Sequence, residues 1–450
     1  MLDKQPTTKL NLISYILLTV LACECVAGSS GRWLEVGSLS IRMVIFIIAA
    51  VATLPAIIQN ITSLIKNKVI QSIVVLFLFI CFSTIYGYVK GNDSGYVVAD
   101  LTSFLFLLII PCYIAVCNTQ QRIERLIKYA SYASLALALV TVIFHFVLLF
   151  VSRETEEEIN YVINFMGLGG FFGFGDGIYR IYFKSSVCFI LPFLYNLNIV
   201  INRSGDKKAS VWPYVFMSLS LIAIVLTYTR SVWFGVFFAV IAFMLINRKK
   251  LKMLFKGIGI ATAGLLIFVL VSWASYGFEG VITNAVNRVL LPQEDKDMLM
   301  EEFDDDDPRA VQVSILLESE DIRAERLKAV YRQIKDNWVL GCGFGQELTV
   351  RNYGGKIEYT YLDILSKMGV FGFTSLLLVL LLPYFYALRR YRQNRYSMLS
   401  GVMLCVMVCI YMASIFNPYI TSPIGFSLFA VTVASLFATQ KGDAGSHNAQ

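Results

Sequence analysis

The chain has 450 residues, of which 57% are hydrophobic and only 15% are charged, and its formal net charge is +7. Soluble proteins usually carry about 25% charged residues. The composition therefore excludes an ordinary soluble domain and indicates a chain that lies mostly within a membrane.

Long apolar stretches recur along the whole chain. A helix needs about 20 mostly apolar residues to cross the hydrocarbon layer of a membrane. Twelve stretches meet this requirement, and they predict an all-α polytopic membrane protein with about twelve transmembrane helices. The predicted spans are 10–28, 41–59, 69–89, 97–117, 130–151, 181–201, 211–229, 231–247, 254–275, 369–388, 397–416 and 420–439. The seventh and eighth spans are almost contiguous, which predicts a tight helical hairpin.

Among the short connections between the predicted spans, every second one is rich in lysine and arginine, and the alternate ones are poor in them. Connections rich in these residues lie on the cytoplasmic side of a membrane. The basic connections contain Lys66 and Lys68, Arg122, Arg125 and Lys128, Arg203, Lys207 and Lys208, Arg248, Lys249, Lys250 and Lys252, and Arg389, Arg390, Arg392 and Arg395. The alternation predicts a multi-pass protein with both termini in the cytoplasm. The positive net charge is then explained by the basic cytoplasmic connections. It gives no reason to expect a nucleic-acid partner.

Two connections on the outer side are long. Residues 1–275 are predicted to form an N-terminal bundle of nine helices, and the first long connection, 152–180, lies within it. This connection combines an acidic run with the glycine-rich stretch 166–177. A phosphate-binding loop is disfavoured because no strand precedes the glycines and no Gly-Lys-Ser/Thr follows them. A re-entrant or interfacial segment is the favoured interpretation.

The second outer connection covers 276–360 and precedes the last three helices (361–440) and a polar tail (441–450). Its acidic run at 301–307 lacks the spacing of an EF-hand, so a solvated loop is favoured over a calcium site. An amphipathic helix is predicted over 320–337, because apolar residues recur there at helical spacing. They are Leu327, Val330, Tyr331, Ile334 and Trp338.

Arg323 falls on the apolar side of this predicted helix, one turn before Leu327. Lys328, Arg332 and Lys335 fall on the opposite, solvated side, and Arg326 lies on the flank. A charge on a packed face is unusual. Two interpretations stay open: the side chain reaches out to lipid headgroups, or it binds an anion.

Further charges lie at the outer ends of the predicted spans. They are Glu24, Arg42, Asp100, Arg180, Lys184, Arg230, Glu358 and Lys367. Ionisable groups are costly at membrane depth, so each is a candidate for function. Glu24 and Asp100 are expected to partner Arg42, which leaves a cationic surplus. Guanidinium groups bind phosphate oxygens in pairs, so the surplus suits a phosphate or pyrophosphate. No Cys/His metal spacing and no disulfide framework is evident, so no metal site is predicted.

Four segments match motifs of one known family. The element Thr229-Arg-Ser-Val-Trp-Phe-Gly235 contains an Arg-Ser-x-Trp pattern, and Arg323-Ala-Glu-Arg-Leu327 contains an Arg-x-x-x-Leu pattern. A glycine turn follows at 341–345, and the segment from Glu358 through Gly369 to Gly372 leads into the tenth span. Over about 210–390 the chain resembles the O-antigen ligase and polymerase superfamily.

The resemblance implies a membrane glycosyltransferase with GT-C-like architecture, no metal and no cofactor, whose site faces the periplasm from the bacterial inner membrane. Such enzymes move a glycan from undecaprenyl pyrophosphate to an acceptor. A ligase uses lipid A–core as acceptor, whereas a polymerase uses a new lipid-linked repeat unit and works with a chain-length-determining co-polymerase. The implied pyrophosphate-binding residues are Arg230 and Arg323 by motif, with Arg180, Lys184 and Arg326 added by position.

One position departs from the ligase pattern. Ligases carry a histidine eleven residues before the glycine that matches Gly369, and here that residue is Glu358. This favours a polymerase. Glu358 and Arg323 are the predicted catalytic residues: Glu358 accepts the proton of the acceptor hydroxyl, unless pyrophosphate leaves readily enough without a base. A flippase or transporter is the alternative from another class, although no internal repeat supports it.

Overall fold

The computed structural model describes residues 9–29, 31, 35–36, 39–173, 179–202, 210–276, 308–346, 348, 358–393 and 397–438. These residues are mostly helical. They also form two small antiparallel hairpins, which the all-α prediction did not include. The acidic run at 301–307 and the tail 441–450 lie outside the described residues, so the predictions made for them stay untested.

Short helices and two hairpins alternate with long helices in the first part of the chain. The elements are α1 Lys9–Ala27, β1 Glu35–Val36, β2 Leu39–Ser40, α2 Ile41–Gln59, α3 Ile61–Ile65, α4 Lys68–Val89, α5 Ser94–Leu105, α6 Ile109–Val116, α7 Gln120–Leu148, α8 Arg153–Phe165, β3 Gly169–Gly173 and β4 Tyr179–Phe183.

Helices alone make up the remainder of the described chain. They are α9 Ile190–Asn202, α10 Trp212–Leu226, α11 Arg230–Ile246, α12 Leu251–Tyr276, α13 Pro308–Asn337, α14 Thr360–Arg392, α15 Met398–Ala413 and α16 Pro423–Phe437. Short 3-10 segments lead from α5 to α6 and into α9 and α12.

Within the described residues, seven helical stretches are long and apolar enough to cross a membrane. They are Lys9–Ala27, Ile41–Gln59, Lys68–Val89, Ser94–Val116, Gln120–Leu148, Arg248–Ser272 and Thr360–Arg392. Five shorter apolar helices occupy the positions of the other predicted spans. The chain is therefore a polytopic membrane protein, as predicted, and the count of twelve spans stays a prediction.

The start of the sixth predicted span is wrong. Residues 179–183 form strand β4 instead of helix, and they pair with β3 so that Phe171 faces Ile181. Aromatic and β-branched residues favour this conformation over helix. Arg180 therefore lies on a strand, and Lys184 lies in the turn after it, before α9 begins at Ile190.

The two long outer connections contain more regular structure than was predicted. Within 152–180, Ser152 caps α8 by accepting a hydrogen bond from the Thr155 backbone N–H, and the β3–β4 hairpin follows. In the second connection the amphipathic helix begins at Pro308, twelve residues earlier than the predicted 320, and ends at Asn337 as expected. Proline at the first helical position is compatible with this start.

Three packed helix pairs position the outer side of the molecule. α11 packs on α15, α4 packs on α14, and the end of α13 packs on α14. A continuous buried apolar cluster runs through most of the helices, from Leu18 in α1 to Ala434 in α16. Helix ends that belong to distant parts of the chain are therefore held beside one another.

Candidate functional site

Arg180 lies on β4 among polar and aromatic neighbours. Its Nε donates a hydrogen bond to the Thr227 carbonyl oxygen at 3.3 Å. Its guanidinium lies 4.9 Å from the ring centre of Tyr182, which is a cation–π contact. Burial lowers the pKa of Arg180, although an arginine keeps its charge at any physiological pH.

Arg230 is the first residue of α11, at the tight connection from α10. The turn requires a positive φ of 43° at Tyr228, which is rare for a residue other than glycine. The indole Nε1 of Trp233 donates a hydrogen bond to the Ile224 carbonyl oxygen at 3.0 Å and so ties the two helices together. The predicted hairpin is confirmed, and it leaves the exposed Arg230 side chain at the end of the pair where α10 connects to α11.

Arg323 and Glu358 form an ion pair across 35 residues of chain. The Arg323 Nε lies 3.0 Å from the Glu358 Oε2, and the side chains keep 46% and 37% of their exposure. The two predicted catalytic residues are therefore in direct contact.

Arg230 and Arg323 each lie within electrostatic reach of Arg180. Arg323 and Arg230 both lower the pKa of Arg180, because each disfavours a further positive charge nearby. Tyr182 and Tyr419 act on Arg180 in the opposite direction. Residues from β4, α11 and α13 thus assemble one cationic cluster, and such a cluster suits a ligand with several negative oxygens.

Arg326 and Lys184, the other two predicted phosphate ligands, occupy different settings. The Nε of Arg326 is buried and has no hydrogen-bond partner among the described residues. The Lys184 side chain is exposed, and its backbone N–H donates to the Ser29 Oγ at 2.8 Å. The two residues therefore differ in burial: Arg326 is half-buried on α13, whereas the Lys184 side chain is exposed in the turn after β4.

The prediction that the apolar residues of the amphipathic helix form its packed face is wrong for most of them. Val330 is fully buried, but Leu327, Tyr331 and Trp338 are 40%, 69% and 58% exposed. The helix packs on α14 through its flank, so Arg323 lies on an exposed side. Lys328, Arg332 and Lys335 are exposed as expected.

The glycine turn 341–345 anchors α13 to the membrane helices. The backbone N–H groups of Cys342 and Gly343 donate to the Ser366 and Lys367 carbonyl oxygens of α14, at 2.8 and 3.0 Å. Gly341 and Gly369 have φ values of +76° and +63°, and a Cβ on Gly341 would overlap the Lys367 carbonyl. Only glycine meets both demands without strain.

The four remaining charges form two buried ion pairs. Arg42 binds Glu24 at 2.5 Å, with side chains 3% and 7% exposed, as expected. The expectation that Asp100 also partners Arg42 is wrong: Asp100 accepts from Lys367 Nζ at 3.1 Å and from the Gly345 backbone N–H at 2.9 Å. Lys367 further contacts Asp363 at 2.9 Å. These groups hold the scaffold, and the site arginines are distinct from them.

Sequence reasoning missed the connection 414–422 between α15 and α16. The Asn417 side chain donates a hydrogen bond to the Ser231 Oγ, and the Asn417 backbone carbonyl oxygen accepts one from the Thr360 Oγ1 at 2.8 Å. Tyr419 of the same connection lies within electrostatic reach of Arg180. The available signal was weak: a polar Asn-Pro step in an outer connection that lacks Lys and Arg.

Comparison with known proteins gives one match, and it covers the arginine motifs and the glycine turn. No curated protein and no solved structure matches the chain. Residues 215–377 match the family model described as O-antigen ligase, a segment that begins in α10 and ends in α14. The predicted resemblance to the O-antigen ligase and polymerase superfamily is therefore confirmed over this segment.

Proposed function

We propose that this protein is a glycosyltransferase that polymerises undecaprenyl-pyrophosphate-linked repeat units into O-antigen or a related surface polysaccharide. The observation that carries the proposal is the convergence of Arg180, Arg230 and Arg323, with Glu358 bound directly to Arg323. The family match supports the broader role in surface glycan assembly.

In the proposed reaction the arginines hold the pyrophosphate of the donor. The acceptor hydroxyl oxygen attacks the anomeric carbon while the bond from that carbon to the pyrophosphate oxygen breaks. Glu358 takes the hydroxyl proton, and the lipid pyrophosphate leaves with the bonding electron pair. The arginines stabilise the charge that develops on the leaving group. A single displacement inverts the anomeric configuration, so a product with retained configuration would contradict this mechanism.

The polymerase assignment depends on the residue at position 358. A glutamate occupies the position where ligases carry a histidine. His145 is buried within the last turn of α7, and His447 lies outside the described residues. A ligase is the second candidate, because the matching family model carries that description. A flippase would instead move substrate without forming new glycosidic bonds.

The remaining assignments follow from the proposed reaction. The substrates are a lipid-linked glycan donor and a lipid-linked acceptor in the outer leaflet of the inner membrane. A separate chain-length-determining co-polymerase is the expected protein partner. The predicted site needs neither metal nor cofactor, because arginines supply the positive charge.

Deletion of the gene in its host tests the proposal. Lipopolysaccharide from the deletion strain is expected to show core plus a single repeat unit, and complementation is expected to restore the ladder. Bare core alone would contradict polymerisation and indicate a ligase or a flippase. An unchanged ladder would exclude O-antigen as the product, and the same comparison on capsule or exopolysaccharide would then decide the proposal.

A further inference from the structure

The connection between α15 and α16 joins two parts of the site that are far apart in sequence. The Asn417 side chain donates its Nδ2–H to the Ser231 Oγ. The Asn417 backbone carbonyl oxygen accepts a hydrogen bond from the Thr360 Oγ1 at 2.8 Å. Thr360 is 2% exposed and Ser231 is 5% exposed, so both bonds are shielded from water. A buried hydroxyl is costly to leave unpaired, which makes these bonds specific in position.

Each bonded residue adjoins a proposed site residue. Ser231 follows Arg230 in the first turn of α11, and Thr360 opens α14 two residues after Glu358. Asn417 therefore spans the starts of the two helices. Both helix N-termini carry a partial positive charge. The distance between them therefore also affects the strength with which the two helix ends together attract an anion.

We infer that Asn417 is a positioning residue that fixes the distance between Arg230 and the Arg323–Glu358 pair. The inference rests on the proposed glycosyl transfer, in which the arginines clamp one pyrophosphate and Glu358 faces the acceptor. Two reacting groups carried by different helices need such a tie, because displacement by about 1 Å can cost about 100-fold in rate.

The rest of the connection supports this role by being rigid. The Ile420 backbone N–H donates to the Ser414 Oγ at 2.9 Å, and the Tyr419 N–H donates to the Asn417 carbonyl oxygen at 2.9 Å. Proline at 418 restricts the backbone between them. Tyr419 also lies within electrostatic reach of Arg180, so the same short segment has one residue near Arg180 and one bonded to the residue that follows Arg230.

The test uses full-length protein in nanodiscs with lipid-linked repeat unit isolated from the deletion strain. Asn417→Ala is expected to slow polymer formation at least tenfold at saturating donor, with little change in the donor concentration at half-maximal rate. Ser231→Ala is expected to match it, and the double variant is expected to be no slower than either single variant. Ser231→Thr retains the hydroxyl and is expected to retain the rate.

Asn60→Ala is the matched control. Asn60 is also a half-buried asparagine whose side chain donates to a carbonyl oxygen, that of Ala56 at 2.8 Å, but it lies at the end of α2 away from the site. This variant is expected to keep the wild-type rate. Loss of rate in both asparagine variants, or multiplicative effects of Asn417→Ala and Ser231→Ala, would overturn the inference.

A distance measurement separates this inference from the proposed reaction. Spin labels are placed at Phe237 of α11 and Phe371 of α14, which are 60% and 56% exposed, in a chain whose native cysteines are replaced. Asn417→Ala is expected to broaden the distance distribution between the labels, and Asn60→Ala is expected to leave it narrow. An unchanged distribution would overturn the inference even if the protein forms no polymer. Absence of polymer from the wild type would contradict only the proposed reaction.

Discussion

Ion pairs of two kinds occur at the outer side of the molecule. The Arg42–Glu24 pair is almost completely buried, so removing either partner would strand a charge. The Arg323–Glu358 pair is about half exposed, and such pairs contribute about 0–1 kcal/mol to stability. In the proposed reaction, phosphate oxygens of the donor displace Glu358 from Arg323 at little cost, and the freed carboxylate accepts the proton of the acceptor hydroxyl.

Replacement of Arg323 tests the pyrophosphate clamp. Arg323→Ala is expected to abolish chain extension in the ladder assay, and Arg323→Lys is expected to lose most of it, because lysine cannot bind two oxygens in a planar fork. Arg332→Ala removes an exposed arginine from the opposite side of the same helix and is expected to retain the ladder. A full ladder from Arg323→Ala would remove Arg323 from the site.

Glu358→Gln tests proton acceptance. The amide keeps the size of the side chain but cannot take a proton, so the rate of polymer formation in nanodiscs is expected to fall about 100- to 10,000-fold. Thermal stability in detergent is expected to stay close to wild type, because the lost pair is exposed. A rate within about threefold of wild type would mean that the leaving group departs without a base.

At the scale of elements, the glycine turn fixes the position of α13 relative to α14. The turn donates backbone hydrogen bonds to α14. The Asn92 side chain donates a hydrogen bond to the Phe344 carbonyl oxygen of the turn at 2.8 Å. Phe344 is buried and its ring stacks on Phe104 at 5.7 Å. The outer helix is therefore fixed at its C-terminal end, only a few turns from Arg323.

Gly341→Ala is expected to destabilise the protein by about 1–3 kcal/mol, because the added methyl group overlaps the Lys367 carbonyl. Gly91→Ala is the control, since Gly91 has a similar φ of +80° but nothing within 4 Å of an added Cβ. Thermal unfolding in detergent compares the two variants. Equal midpoints would show that backbone strain, and not the close approach of α13 and α14, determines the effect.

At the scale of the whole molecule, the candidate site depends on elements from distant parts of the sequence that lie beside one another. Arg180, Arg230 and Arg323 belong to three different elements, and the pairing of α11 with α15 brings Asn417 to the first of the helix starts. The alternation of basic connections predicts that this side is periplasmic.

Reporter fusions test this orientation. Alkaline phosphatase needs disulfide bonds and is active only on the outer side, so insertion after Tyr276 is expected to give activity and insertion after Asn247 none. Green fluorescent protein at the two positions is expected to give the opposite result. Phosphatase activity after Asn247 would invert the topology and place the arginines in the cytoplasm.

Local properties of the chain predicted much of this architecture. Runs of apolar residues predicted where helices lie, because spanning a membrane requires length and hydropathy within one segment. Motif spacing identified Arg230, Arg323 and Glu358, and the tight hairpin before Arg230 followed from the near absence of a connection. The strand at 179–183 was missed, because its apolar residues suit a helix as well as a strand.

Only the tertiary structure decided which residues meet. Asp100 pairs with Lys367, 267 residues away, and not with Arg42; Asn417 bonds Ser231, 186 residues away. Glu358 contacts Arg323 because the glycine turn reverses the chain after α13. These contacts depend on how helices pack against one another, and packing is a property of surfaces that the order of residues along one segment does not contain.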